Sequence, residues 1–204
     1  MPLELSRTRK NEMEGLTELQ AWMGVNGMCN STSGLAFGPN AKDPLGGKRD
    51  FRADFTFRNE SEGPEGAWQQ WCMFAFALEA PPEGADLSGG WKVRMKVKAD
   101  RERSLRVNLD SPRYVMDNTL NGVLYGWEAA AGPETRTLEF ALDQASYPGW
   151  ARVRPDVKLA DVVRGVMGIS LNPQAAGRTG QGLLTAGTED AGFLQVDDIE
   201  FIRP

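Results

Sequence analysis

The stretch that decides the fold runs from Trp91 to Asp110: Trp91-Lys92-Val93-Arg94-Met95-Lys96-Val97-Lys98, then Ala99-Asp100-Arg101-Glu102-Arg103, then Ser104-Leu105-Arg106-Val107-Asn108-Leu109-Asp110. Apolar and polar residues alternate on both sides of a charged turn. Successive side chains of a strand point to opposite faces, so this period means one buried and one wet face on each strand. A helix would repeat its apolar stripe every three or four residues. The pattern predicts a hairpin, with Arg106, Asn108 and Asp110 on its wet face, where they offer both donors and acceptors.

Working outward, alternation recurs in Phe51–Asn59, where Phe51, Ala53, Phe55 and Phe57 oppose Arg52, Asp54, Thr56 and Arg58. Trp68–Leu78 is the most apolar strand. Cys72, Phe74, Phe76 and Leu78 make its core face. Gln69, Trp71, Met73, Ala75 and Ala77 make the other, where Trp71 is either a stacking platform in a shallow groove or a ring packed under a loop. Further strands are expected at Leu16–Met23, Leu35–Phe37, Thr135–Leu142 and Val166–Leu171, with one or two helical turns within Leu159–Val166. Phe193–Ile202 closes the chain as a strand whose phase slips at Asp197-Asp198, which predicts a bulge. Short strands between turn signals, with at most one short helix, predict an all-β, two-sheet sandwich or jelly roll.

Composition narrows the function. The chain has 204 residues, enough for one large all-β domain with its own core. Residues 1–15 are polar and charged, without the apolar core of a signal peptide, and are read as a tail or linker remnant; residues 16–204 are read as the domain. Net charge is -5 with no basic stripe beyond the hairpin lysines, which argues against nucleic acid. No apolar run is long enough for a membrane-spanning helix. Histidine is absent, which excludes Ser-His-Asp and Cys-His catalysis and His-ligated zinc or copper. Acid–base chemistry would fall to carboxylates, Lys, Tyr or Cys. The two cysteines, Cys29 and Cys72, are consistent with one disulfide or with two buried thiols.

Aromatics also stand in polar, glycine-containing segments: Tyr114, Tyr125 and Trp127 between Ser111 and Trp127, and Tyr147 and Trp150 in Tyr147-Pro148-Gly149-Trp150. Such rings are expected to be less buried than those on alternating strands. The order of features is similar to a known group: Trp68-x-x-Trp71, then Asp86-Leu87-Ser88-Gly89, then the long alternating pair of strands, then Val196-Asp197-Asp198-Ile199. It resembles the galactose-binding-like β-jelly rolls of bacterial carbohydrate-binding modules, nearest to family 11 and the related complex I intermediate-associated domains. The likeness spans roughly residues 65–202, and the acidic opening of many relatives is missing from the N-terminal third.

The resemblance implies a non-catalytic module that binds polysaccharide, β-glucan above all, on its concave sheet or edge loops. It implies a bacterial extracellular setting within a larger secreted enzyme. A pyranose presents an apolar face to an aromatic ring and hydroxyls to planar polar side chains. The ligand-binding set is then Trp71, Tyr114, Tyr125 and Trp127 for stacking, with Gln69, Arg106, Asn108 and Asp110 for hydrogen bonds. Asp197-Asp198 offers carboxylates to a structural calcium ion, Asp198 foremost and Glu18 as a second ligand; a paired Asp at a bulge can equally cap backbone N–H groups. The alternatives are an enzyme acting on glycans through a carboxylate pair, for which no pair stands out among 28 acidic residues, and a protein-interaction domain.

Overall fold

A computed structural model describes residues 3–4, 9–11, 28–29, 34–58, 72–78, 83–111, 125–147, 157–173 and 189–204. The strands in order are β1 (Leu3–Glu4), β2 (Arg9–Asn11), β3 (Met28–Cys29), β4 (Gly34–Asn40), β5 (Asp50–Arg58), β6 (Cys72–Ala77), β7 (Ala85–Asp86), β8 (Lys92–Ala99), β9 (Arg103–Asp110), β10 (Gly126–Ala131), β11 (Arg136–Ala141), β12 (Gly168–Pro173) and β13 (Glu189–Ile202). A single α-helical turn, α1 (Leu159–Val162), precedes β12. One sheet has the order β10-β9-β12-β6-β3; the other has β11-β8-β13-β5-β4, with β2 also against β13. The expected two-sheet sandwich is therefore present.

The decisive stretch folds differently from the expected hairpin. β8 pairs with β11 and β13, whereas β9 pairs with β10 and β12, so the turn between them is an arch that carries the chain from one sheet to the other. Val93, Met95 and Val97 meet Leu105, Val107 and Leu109 within one core. Alternation shows that each strand has a buried face; it does not say whether two buried faces lie side by side or across a core. The arch is tied down electrostatically. Arg103 donates from Nη1 to Asp190 Oδ2 at 2.7 Å and from Nε to Asp100 Oδ1 at 2.7 Å, and lies over the Phe55 ring. Asp190 lies near the start of β13 in the opposite sheet, so this buried ion pair joins the two layers.

The connection from β10 to β11 crosses the sandwich in the same way. Trp127 on β10 stacks on Phe140 of β11, with centroids 5.0 Å apart and planes 15° apart. Phe51 from one sheet meets Phe74 and Phe76 from the other at 5.3 and 4.9 Å. Offset and edge-on aromatic pairs of this kind add packing specificity to the burial itself.

Two short strands lie among the described residues of 1–15. β1 runs parallel to β7, and β2 pairs with Ile199–Phe201 of β13. The reason is an open edge: β5 accompanies β13 only as far as Val196, and β2 takes up the ladder beyond the bulge. That bulge stands where the phase slip put it, between Asp197 and Glu200, with Asp198 at φ 52°. The cysteine alternatives are also resolved. Cys72 is disulfide-bonded, and the chain's one other cysteine, Cys29, lies opposite it in the β3–β6 register.

Candidate polar groove on the five-stranded sheet

The outer face of the five-stranded sheet collects the polar residues of three strands, β10, β9 and β12. Residues directly opposite each other in an antiparallel pair share a face. Glu128, Arg106 and Asn172 stand in one cross-strand row. Gly126, Asn108, Ser170 and Ala75 form the next, and Asp110, Gly168 and Ala77 a third. Arg106, Asn108 and Asp110 thus share a face with Ala75 and Ala77 of β6. Two positions on this face are closed to side chains. A Cβ at Gly126 would fall 2.0 Å from the Val107 carbonyl oxygen, and one at Gly168 2.2 Å from that of Phe76, so neither position admits a side chain.

Two expectations for this face need correction. Arg106 and Asn108 are not wet: they are 3% and 1% exposed and form the floor beneath a partly exposed rim of Asp110, Asn172, Met73, Ala75 and Ala77. Burial is tolerated because the guanidinium is engaged through all three nitrogens. Nε donates to Asn108 Oδ1 at 3.1 Å, Nη1 to Glu128 Oε1 at 3.1 Å, and Nη2 to the Ser146 carbonyl oxygen. Burial lowers the Arg106 pKa and Glu128 opposes that fall; an arginine stays charged throughout.

Asn108 is only half satisfied. Its Oδ1 accepts from Arg106, but its Nδ2 finds no acceptor among the described residues. A buried donor in that state costs about 1–3 kcal/mol. Asp110 next along the strand accepts from Ser170 Oγ at 2.9 Å, and burial raises its pKa to about 6. Glu128, Ser170 and Asn172 were not singled out from the sequence. The polar alternation of Ser170 and Asn172 against Ile169 and Leu171 was the available signal, but pairing with β9 was not legible.

The aromatic set divides. Trp127 is a correction: it is 8% exposed, lies opposite Val107 on the core side of β10, and donates from Nε1 to the Ala141 carbonyl oxygen at 3.2 Å. A ring stacked on Phe140 within the sandwich is closed to a sugar. Tyr125 is partly buried against the core; its hydroxyl donates to the Val157 carbonyl oxygen at 3.1 Å, and its ring lies 4.3 Å from that of Tyr147. Trp71, Gln69, Tyr114 and Glu18 lie outside the described residues.

On the opposite sheet, the bulge carboxylates face Lys96. Lys96 Nζ lies 2.7 Å from Asp198 Oδ2, and Asp197 Oδ1 accepts from the Asp198 backbone N–H at 2.8 Å. Nearby, Asp50 accepts from Asn40 Nδ2, the Leu45 N–H and Gln195 Nε2 at 2.8–2.9 Å. This set is dominated by N–H donors and an ammonium. Among the described residues no group of three or more His, Cys, Asp or Glu side chains is placed to hold a metal ion.

No family model and no curated protein matches the chain. Solved structures do. The chain is similar to the family 11 carbohydrate-binding module of the cellulosomal cellulase Lic26A-Cel5E of Clostridium thermocellum, at 12% identity and a TM-score of 0.57, over 95% of this chain and 92% of that one. A family 11 module from the same organism, solved in complex with a β-1,3-1,4-mixed-linked tetrasaccharide, matches at 12% identity and a TM-score of 0.56, over 96% and 95%. The glycoside hydrolase domain of Endo-D from Streptococcus pneumoniae R6 matches at 10% identity and a TM-score of 0.51, over 98% of this chain but 28% of that one. At these identities the similarity is one of architecture: this chain has the β-sandwich fold of those modules, along nearly its whole length.

Proposed function

We propose that this protein is a non-catalytic carbohydrate-binding module whose ligand, a neutral β-glucan chain, lies across the polar face of the five-stranded sheet. The observation that carries this is Asn108 Nδ2, a buried donor without an acceptor among the described residues, set under a partly exposed rim of polar and small residues. A ligand hydroxyl would satisfy it. The shared architecture with a module solved on a mixed-linked tetrasaccharide supports the choice of glucan. Stacking falls to Trp71 and Tyr114, with Tyr125 at the margin. The role carries with it an extracellular setting within a larger secreted enzyme. Calorimetric titration with soluble β-glucans and xylans tests the proposal: binding by a β-glucan is expected, and failure of every glycan to bind would refute it.

A further inference from the structure

Building on the carbohydrate-binding role, we infer that the groove reads a donor–acceptor pair on its ligand, that Arg106 is the positioning residue that sets this pair, and that uronic-acid chains are rejected. Asn108 has two ways to face its amide, and the Arg106 Nε–H to Oδ1 hydrogen bond selects one of them. Oδ1 is thereby turned to the guanidinium, and Nδ2 is the group left to meet a ligand. Arg106 itself has no nitrogen in reserve as a first partner, because Asn108, Glu128 and the Ser146 carbonyl hold all three. Its function is exerted through Asn108.

Asp110 supplies the complement. It lies two residues along β9 on the same face, with Ser170 Oγ on its Oδ1. The position directly opposite it is Gly168, which presents no side chain, so among the described residues β12 reaches the carboxylate through Ser170. A donor at Asn108 and an acceptor at Asp110 suit two hydroxyls of a sugar, one accepting and one donating. The described charged groups of this face are Arg106, Glu128 and Asp110, and Arg106 is already matched to Glu128 at 3.1 Å. A uronate carboxylate would meet Asp110 with no further cation among them to balance it, and like charges at such range repel.

Affinity electrophoresis with soluble mixed-linkage β-1,3-1,4-glucan and with polygalacturonate tests this in wild type, Arg106→Lys and Asn108→Asp. Wild type is expected to bind the glucan and to ignore polygalacturonate. Arg106→Lys keeps the charge but loses the Nε donor, and glucan binding should weaken roughly tenfold; Asn108→Asp replaces donor with acceptor and should weaken it at least as much. In wild-type protein labelled with 15N, the Asn108 side-chain amide signals should shift when glucan is added, which holds as a check if either variant fails to fold. Equal binding of polygalacturonate would overturn the donor–acceptor pair while leaving a carbohydrate-binding role standing. Unchanged affinity in Arg106→Lys, or unshifted Asn108 signals on glucan binding, would overturn the positioning role. If neither polymer binds, the inference and the role beneath it both fall.

Discussion

Replacing Asp110 by Asn should flatten the pH dependence of stability between about pH 4 and 6. The carboxyl sits low in the rim of the groove, accepts one hydroxyl hydrogen bond from Ser170, and is raised by burial from 3.8 to about 6. A carboxyl raised on folding is protonated more readily in the folded chain than in the unfolded one. Its contribution to stability is fully present below the unfolded pKa and is lost as pH climbs through the folded one. A rise of roughly two pKa steps at about 1.4 kcal/mol each gives a loss on the order of 3 kcal/mol across that window. For a chain of this size that corresponds to about 6–12 °C in melting temperature. The amide of the Asp110→Asn variant keeps an oxygen for Ser170 and carries no charge, so this variant should melt with wild type near pH 4 and above it at pH 7. Thermal melts of both proteins at half-unit pH steps decide the matter. Parallel curves from pH 4 to 7 would show that Asp110 is not held in a raised state, and the account of its environment would be wrong.

Trp127→Ala should cost about 3–5 kcal/mol in chemical denaturation, because it empties a core site stacked on Phe140, while leaving glucan affinity in the folded fraction unchanged. A loss of affinity at unchanged stability would restore Trp127 as a sugar platform. Cys72→Ser, or addition of a thiol reductant, should destabilise by about 3–4 kcal/mol, the entropy of closing a loop of roughly 40 residues; an unmoved denaturation midpoint would contradict a structural disulfide. Arg103→Met should cost about 3–5 kcal/mol by leaving Asp190 and Asp100 without the buried guanidinium they share, as read from urea midpoints, and a neutral result would mean the arch needs no electrostatic tie.

Strands with clean alternation were legible because burial on one face leaves its mark on every second residue. Phe51–Arg58 and Lys92–Ala99 follow that rule throughout, and Ile199–Ile202 follows it beyond the bulge, whereas Leu194–Asp197 is buried on both faces. β10 was missed because Gly126-Trp127-Glu128-Ala129-Ala130-Ala131 carries too few large side chains to write a period. Trp127 was misplaced for the same reason: a polar neighbourhood in sequence became a core position once β10 lay against β9. Arg106 and Asn108 were assigned to the correct face and the wrong environment. Alternation tells which way a side chain points, whereas what lies above it is set by neighbours far away in the chain, here Glu128 and the Ser146 carbonyl. The partnership of Arg106 with Asn108, two residues apart, was within reach of local reasoning, since i and i+2 of a strand share a face.

The last strand is also a middle strand. β13 lies between β5 and β8, so the larger sheet is two unfinished ribbons until residues 189–202 arrive. During synthesis the inner edges of both ribbons stand unpaired, each able to zip onto a neighbouring nascent chain instead of its own C-terminal segment. Any truncation that removes β13 should therefore yield insoluble material and not a smaller working domain, and a fusion partner placed after Pro204 must leave that segment free to thread home.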